Sequence, residues 1–158
     1  MSKLLIITPE KVKDKALISL QDYYRKIIKP HTSLEFIHTG SVKINQHQDA
    51  EIEKALSKEA DLMLKKITTD DFVILLTEKG KTLDTQEFSK QYNNSLDTSR
   101  RTVFIIGSAL GIHPKLFNIA NLQLALSKMT FTHEMALVIL MEQLYRVTTI
   151  KIGKRYHY

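Results

Sequence analysis

Three short stretches of this 158-residue chain hold residues able to meet a ligand: "LLTEKGK" at 75–81, "IIGSALG" at 105–111 and "LSKMT" at 126–130. Each joins an apolar run to glycine, serine or threonine. Loops of that composition leave backbone N–H and C=O groups open to a bound molecule, and glycine lets a ligand approach the chain closely. Taken singly, Gly80, Gly107 and Gly111 read first as turn residues and second as ligand contacts. A nucleotide phosphate is disfavoured as the ligand. Neither a Walker A motif nor a Gly-x-Gly-x-x-Gly fingerprint is present, because Ser-Ala-Leu separates Gly107 from Gly111. With no cysteine in the chain, disulfides, cysteine metal sites and thiol chemistry are excluded.

The elements that must position these loops follow from the apolar periodicity. Residues 3–8 read as a buried strand, 10–28 as a helix ending at Pro30, and 34–39 as a second strand with Gly40 as its turn. In the next helical segment Ile52, Leu56, Ala60 and Leu64 recur every four residues, and Ala55 and Met63 widen that face. Residues 72–77 form the third strand, 85–94 a short helix, 101–107 the fourth strand and 122–127 the fifth. One or two helical turns begin near His113, and a last helix covers about 132–149. Strands alternating with helices predict an α/β fold with a mostly parallel sheet flanked by helices. In such sheets ligands bind beyond the C-terminal strand ends, where all three stretches fall. No linker or repeat divides the chain, so residues 1–158 are expected to form one domain.

Composition narrows the class. An apolar fraction of 43% and a charged fraction of 25% are ordinary for a globular protein. No apolar run reaches the roughly 18 residues of a membrane span, and the N-terminus lacks the pattern of a cleaved signal, so the expectation is a cytoplasmic protein. The formal net charge is +6, from 23 basic and 17 acidic residues. Basic residues gather near both ends, among them Lys11, Lys13, Lys15, Arg146, Lys151, Lys154 and Arg155. Such clusters suit nucleic-acid phosphates, and they equally suit a solvated surface.

The last helix poses a separate problem. Met135 to Met141 is an unbroken apolar run, followed by Leu144, Tyr145 and Val147. A helix apolar on most sides needs cover on most sides. Burial in a single-chain core and burial against a partner subunit are both open.

The order "FIIGSALGIHP", "LALSKMTFTHEM", "EQLYR" and a terminal "YHY" resembles the RlmH family of SPOUT-superfamily methyltransferases. The resemblance runs nearly the whole chain. "KLLIIT" corresponds to the family's first strand and "LLTEKGK" to its Leu-x-x-x-Gly-Lys segment. Its specific part is the C-terminal block, where residues 127–131, His133, Glu142-Gln143, Tyr145-Arg146 and Tyr156-His157 fall at family spacing.

That resemblance implies a C-terminal deep trefoil knot over roughly residues 72–158. It also implies a homodimer in which the knot core covers one face of the apolar last helix and the partner's twin helix the other, S-adenosylmethionine as cofactor, and methylation of N3 of a pseudouridine in large-subunit rRNA on the assembled ribosome. Carried over residue by residue, the cofactor contacts are Leu76, Gly107, Leu126, Ser127, Lys128, Met129, Thr130 and Phe131. Leu76, Leu126 and Met129 would pack on the adenine faces, a role compatible with core packing. Methyl transfer from a sulfonium needs no metal. It requires in-line approach and a nucleophile that has lost its proton. Arg146 would hold RNA or the developing anion, or else pair with Glu142 four residues earlier. His157 would accept a proton or stack, and Tyr156 would stack on a base. His133 is expected to organise the start of the last helix.

Departures from the family pattern bear on activity. Ser108 and the pair Ala109-Leu110 replace residues usual in the family, and Leu137 stands where an arginine is usual. Helical spacing would set position 137 beside 133, near the cofactor loop and the dimer seam. These departures motivate a second reading, an RNA-binding dimer without efficient transfer, and the strand order alone motivates a third, a small-molecule-binding α/β protein of flavodoxin type.

Overall fold

The computed structural model describes residues 3–154. Five strands, β1 (Lys3–Thr8), β2 (Ser33–His38), β3 (Asp71–Thr82), β4 (Arg101–Ile105) and β5 (Leu122–Ala125), make one sheet in the order β2-β1-β4-β3-β5. All four pairings are parallel, as the alternation of strands and helices predicts. The helices are α1 (Lys15–Ile28), α2 (Asp49–Leu64), α3 (Thr85–Thr98), α4 (Pro114–Ile119) and α5 (His133–Lys151).

Alternation along the strands sorts the core into two layers. Leu4, Ile6, Ile74, Leu76, Phe104 and Ile106 face one side, where they meet Ile28 of α1, Phe88 and Tyr92 of α3, and Leu137, Leu140 and Leu144 of α5. Leu5, Ile7, Val73, Leu75, Val103 and Ile105 face the other, against Ala60 and Met63 of α2 and Leu116 of α4. With both faces covered, the central strands must be apolar at every position, and β1 reads Leu-Leu-Ile-Ile accordingly. Each such side chain contributes roughly 1.5–3 kcal/mol by leaving water.

Helix α5 answers the question its composition raised. Leu137, Leu140, Met141, Leu144 and Val147 are at most 1% exposed within the single chain, and α1 and α3 pack beside the helix. Sheet and flanking helices together cover most of it, so its apolar character is already accounted for without a partner. Leu137 lies in this core, in the same apolar cluster as Leu76, Ile106 and Leu126, and continues the inward row of Leu140 and Leu144, three and seven residues on.

Several boundaries differ from the pattern read in the sequence: α3 runs to Thr98 rather than residue 94, β4 and β5 end at Ile105 and Ala125 rather than at 107 and 127, and two ends move further. Helix α1 begins at Lys15 rather than near residue 10, because the Asp14 carboxylate caps it by accepting the N–H groups of Ala16 and Leu17. Residues 9–14 thereby become a loop at the end of β1. Strand β3 runs five residues past the expected Thr77, because after a bulge it resumes pairing with β5 at Lys81.

The opposite end of the sheet is pinned by one ion pair. Asp71 and Arg101 are register partners on β3 and β4. The guanidinium donates to both carboxylate oxygens at 2.9 and 2.8 Å and to the Lys66 carbonyl at 2.8 Å. Burial alone would raise the Asp71 pKa, but the Arg101 hydrogen bonds and charge and the Thr68 N–H outweigh it and hold the carboxyl below its usual value. A depressed folded-state pKa means stability that is complete above the unfolded value of 3.8 and lost as pH falls through the folded one. Replacing Arg101 by leucine strands a carboxylate only 1% exposed. We expect a loss of about 3 kcal/mol near neutral pH in chemical denaturation, with the gap to wild type narrowing as the pH falls below 3.8.

Candidate functional site

Because β4, β3 and β5 are neighbours and parallel, the chain segments leaving their C-terminal ends converge. They enclose a cavity of about 1270 Å³ with the start of α1 and the start of α5. That volume lies above the about 300–1,000 Å³ usual for a small-molecule pocket.

The segment after β4 is a tight loop. Gly111 N–H donates to the Ser108 carbonyl at 3.0 Å and Leu110 N–H to the Ser108 hydroxyl at 3.3 Å. Gly111 has φ +110°, in the region open to glycine. At Gly107 a Cβ would come within 2.6 Å of Ile112 Cγ1 and 2.7 Å of the Gly111 carbonyl oxygen, so no side chain fits without moving the loop. Beyond it, His113 Nδ1 accepts the Lys115 N–H at 3.2 Å as the cap of α4, which leaves Nε2 to donate to Glu53 at 2.7 Å. The hydroxyl of Ser108, the residue that departs from the family pattern, therefore braces this turn.

The second wall is built by a break in the ladder. Leu76 and Lys81 both pair with Leu124, leaving residues 77–80 without partners on β5. Such bulges re-aim side chains next to sites. Lys79 N–H donates to Thr77 Oγ1 at 3.3 Å, closing the bulge around Glu78. Gly80 lies against β5 so closely that a Cβ would sit 2.6 Å from the Gln123 carbonyl group and 2.7 Å from Leu124 N.

The third wall is the segment from β5 to α5. Ser127 Oγ accepts the Met129 N–H at 3.0 Å. Met129 is 76% exposed and Phe131 44%, which puts two large apolar groups at the mouth. Thr132 caps α5 through the Met135 N–H at 3.3 Å. Glu134 reaches across to α1, accepting the Lys13 N–H at 2.6 Å and the Asp14 N–H at 3.4 Å. These two residues, rather than His133, organise the helix start: a threonine in the cap position reaches the third helical N–H, whereas His133 Nε2 is buried with no partner among the described residues.

Of the eight residues carried over for the cofactor, Leu76, Gly107, Leu126, Ser127, Met129, Thr130 and Phe131 line this one cavity, and Lys128 projects into solvent without lining it. Arg146 is not brought to it. Its guanidinium donates to Glu142 at 2.7 and 3.2 Å, and it lies 13 residues along α5 from His133, about 20 Å at 1.5 Å per residue. Tyr156 and His157 lie outside the described residues.

Sequence reading missed the α1 side of the cavity, Asp14 and Leu17, and the bulge residues Glu78 and Lys79. The first pair is distant in the chain and had no local signal. The second sat inside a stretch already singled out for its glycine.

The lining has a charge of its own. Among the described residues it holds the carboxylates of Asp14, Glu78 and Glu134 against the single ammonium of Lys79. The chain as a whole carries +6. An acid-lined cavity in a basic protein suits a cationic ligand and repels a phosphate. No group of three or more metal-ligating side chains occurs among the described residues, nor is any described helix long and apolar enough to cross a membrane.

A parallel α/β sheet with this cavity at its strand ends is matched over residues 2–157 by the family profile described as "Predicted SPOUT methyltransferase". The chain belongs to the SPOUT methyltransferase family. Within it, the chain is 36% identical over 158 residues to the ribosomal RNA large subunit methyltransferase H of Natranaerobius thermophilus, covering 99% of each. To the protein of that name from Kosmotoga olearia it is 39% identical, with 94% of each covered. The Clostridium botulinum strain Kyoto protein of the same name is 36% identical, over 96% of this chain and 97% of the relative.

The bulge offers a direct test of this wall. Gly80→Ala must push β5 away from β3, and overpacking of that kind costs about 1–3 kcal/mol. Chemical denaturation should show the loss, while alanine at Gly40, where a Cβ meets nothing within 4 Å, suffers only its backbone strain at φ +95°.

Proposed function

We propose that this protein transfers a methyl group from S-adenosylmethionine to N3 of a pseudouridine in large-subunit rRNA, acting as a cytoplasmic homodimer on the assembled ribosome. The observation that carries the reading is the convergence of seven separately matched residues, from three chain segments, on one acid-lined cavity. Relatives named for methylation of large-subunit rRNA align with the chain from end to end. A flavodoxin-type phosphate site is disfavoured by the same lining charge.

The donor set fits the cofactor. Leu76, Leu126 and Met129 offer apolar surface for a purine, and the backbone groups of residues 126–131 offer hydrogen bonds to its edge. Gly107 keeps its loop close enough to floor the site. When bound, S-adenosylmethionine supplies an electrophilic methyl group on a cationic sulfur. The protein's own work is to orient that group and to favour the anion of the acceptor base. Positive charge near the base lowers its pKa. Exposed Lys11, Lys13 and Lys128 supply basic charge for RNA phosphates beside the mouth.

The knot expected over residues 72–158 belongs to this reading. Strand β5 follows β4 in the chain yet pairs on the far side of β3, and α5 then returns to pack on α1. The dimer does too. Ile18, Leu20 and Tyr23 on α1 and Met135 on α5 are exposed apolar residues on adjoining helices, a surface a second copy can cover. Arg146 stands about 20 Å along α5 from its own cavity. In this reading it serves RNA bound at the partner's cavity, with Tyr156 and His157 assigned to the same substrate.

Two measurements test the proposal. Undermethylated large subunits should accept labelled methyl groups from the cofactor in the presence of the protein, and mass spectrometry of rRNA from a strain lacking it should show one pseudouridine without its methyl. Unchanged rRNA in that strain would remove the reading. Gly107→Arg should abolish S-adenosylmethionine binding in calorimetry, since no side chain fits at that position; retained affinity would put the cofactor elsewhere.

A further inference from the structure

Three carboxylates line the cavity, and two are already engaged. Asp14 accepts the N–H groups of Ala16 and Leu17, and Glu134 accepts those of Lys13 and Asp14. Glu78 has no hydrogen bond or ion pair to any described residue. Its position is nonetheless tightly specified. Four residues of β3 are left out of the ladder to form the bulge, the Thr77 hydroxyl closes it, and only glycine fits at position 80 where it rests on β5. Thr77, immediately before, lines the same cavity and is 8% exposed, so Glu78 follows directly from the buried part of the wall. An exposed, unpaired acid held by such a construction on a cavity wall points to a ligand with positive charge.

We infer that the Glu78 carboxylate pairs with the positive charge of the bound cofactor and so selects a cationic ligand over its neutral analogues. The inference rests on the cofactor reading above and assigns a specificity role that the motif comparison left unassigned. Lys79 lines the same wall, so the carboxylate acts against a neighbouring like charge to the ligand's. Its effect is therefore modest and sensitive to salt.

Calorimetry with wild type and Glu78→Gln separates the outcomes, using S-adenosylmethionine and 5′-methylthioadenosine, which keeps the nucleoside but carries neither sulfonium nor ammonium. We expect Glu78→Gln to weaken S-adenosylmethionine binding by about threefold to fivefold at low ionic strength, on the scale of an exposed ion pair. The difference should shrink at high salt, and 5′-methylthioadenosine should bind both proteins alike. Glu78→Asp, which keeps the charge, should recover most of the loss. Equal S-adenosylmethionine affinity in wild type and Glu78→Gln would overturn the inference, as would an equal loss for the neutral ligand, which would mean a ribose contact or a disturbed bulge. Wild type that binds neither ligand would instead overturn the cofactor reading itself.

Discussion

The parallel direction of all five strands is the constraint on which the rest depends. It sends every C-terminal end to one edge of the sheet, and the order β4-β3-β5 makes three of those ends adjacent. Loops far apart in the chain, at residues 77–80, 106–113 and 126–132, thus become walls of one cavity. At the other edge the Asp71–Arg101 pair fixes β3 against β4. A slip of one residue there would turn the slipped strand's side chains to the opposite faces of the sheet. The same pair therefore sets the height at which the β3 bulge meets the loop after β4, a coupling between stability at one end and geometry at the other.

Helix α5 shows why burial and association have to be argued separately. Its inward row is closed by the sheet, α1 and α3 of its own chain. The apolar groups it leaves exposed nearby are fewer and lie around α1 and the first turn of α5, including Ile18, Leu20, Tyr23 and Met135. An apolar helix composition alone could not separate these cases. A helix in the middle of a three-helix layer and a helix at a two-fold seam both need cover on opposite flanks.

Much of the fold was legible because its signals are local. The apolar runs of β1, β3 and β4 are buried on two faces and needed no alternation to be found. Of the four-residue row in α2, Ala60 is buried and Ile52, Leu56 and Leu64 are half-buried, while Ala55 and Met63, which widened that face, are buried. Failures came where a single polar interaction decides an end. Asp14 as a cap cannot be told from an acid in the first turn until its hydrogen bonds are known. The extension of β3 beyond Thr77 was hidden because Glu78, Lys79 and Gly80 interrupt the apolar run, although the strand resumes at Lys81. At the site, the carried-over spacing named residues that share one cavity, but not the wall opposite them. Asp14 and Leu17 enter through the packing of α1 on α5, a contact across about the whole chain that no spacing rule encodes.

The charge pattern supplies the last step. A basic surface and an acidic cavity pull on different molecules. In the proposed reaction the exposed lysines would suit RNA phosphates, while the lining with Asp14, Glu78 and Glu134 would suit a small cation. The two partners of the proposed reaction can then bind side by side without competing for one site. Once the methyl group leaves a sulfonium, the sulfur is neutral, and whatever attraction the lining had for that charge is lost. In the proposed reaction, electrostatics that favour a sulfonium donor would weaken the hold on its neutral product, so an acid-lined pocket in a basic protein would suit turnover as well as binding.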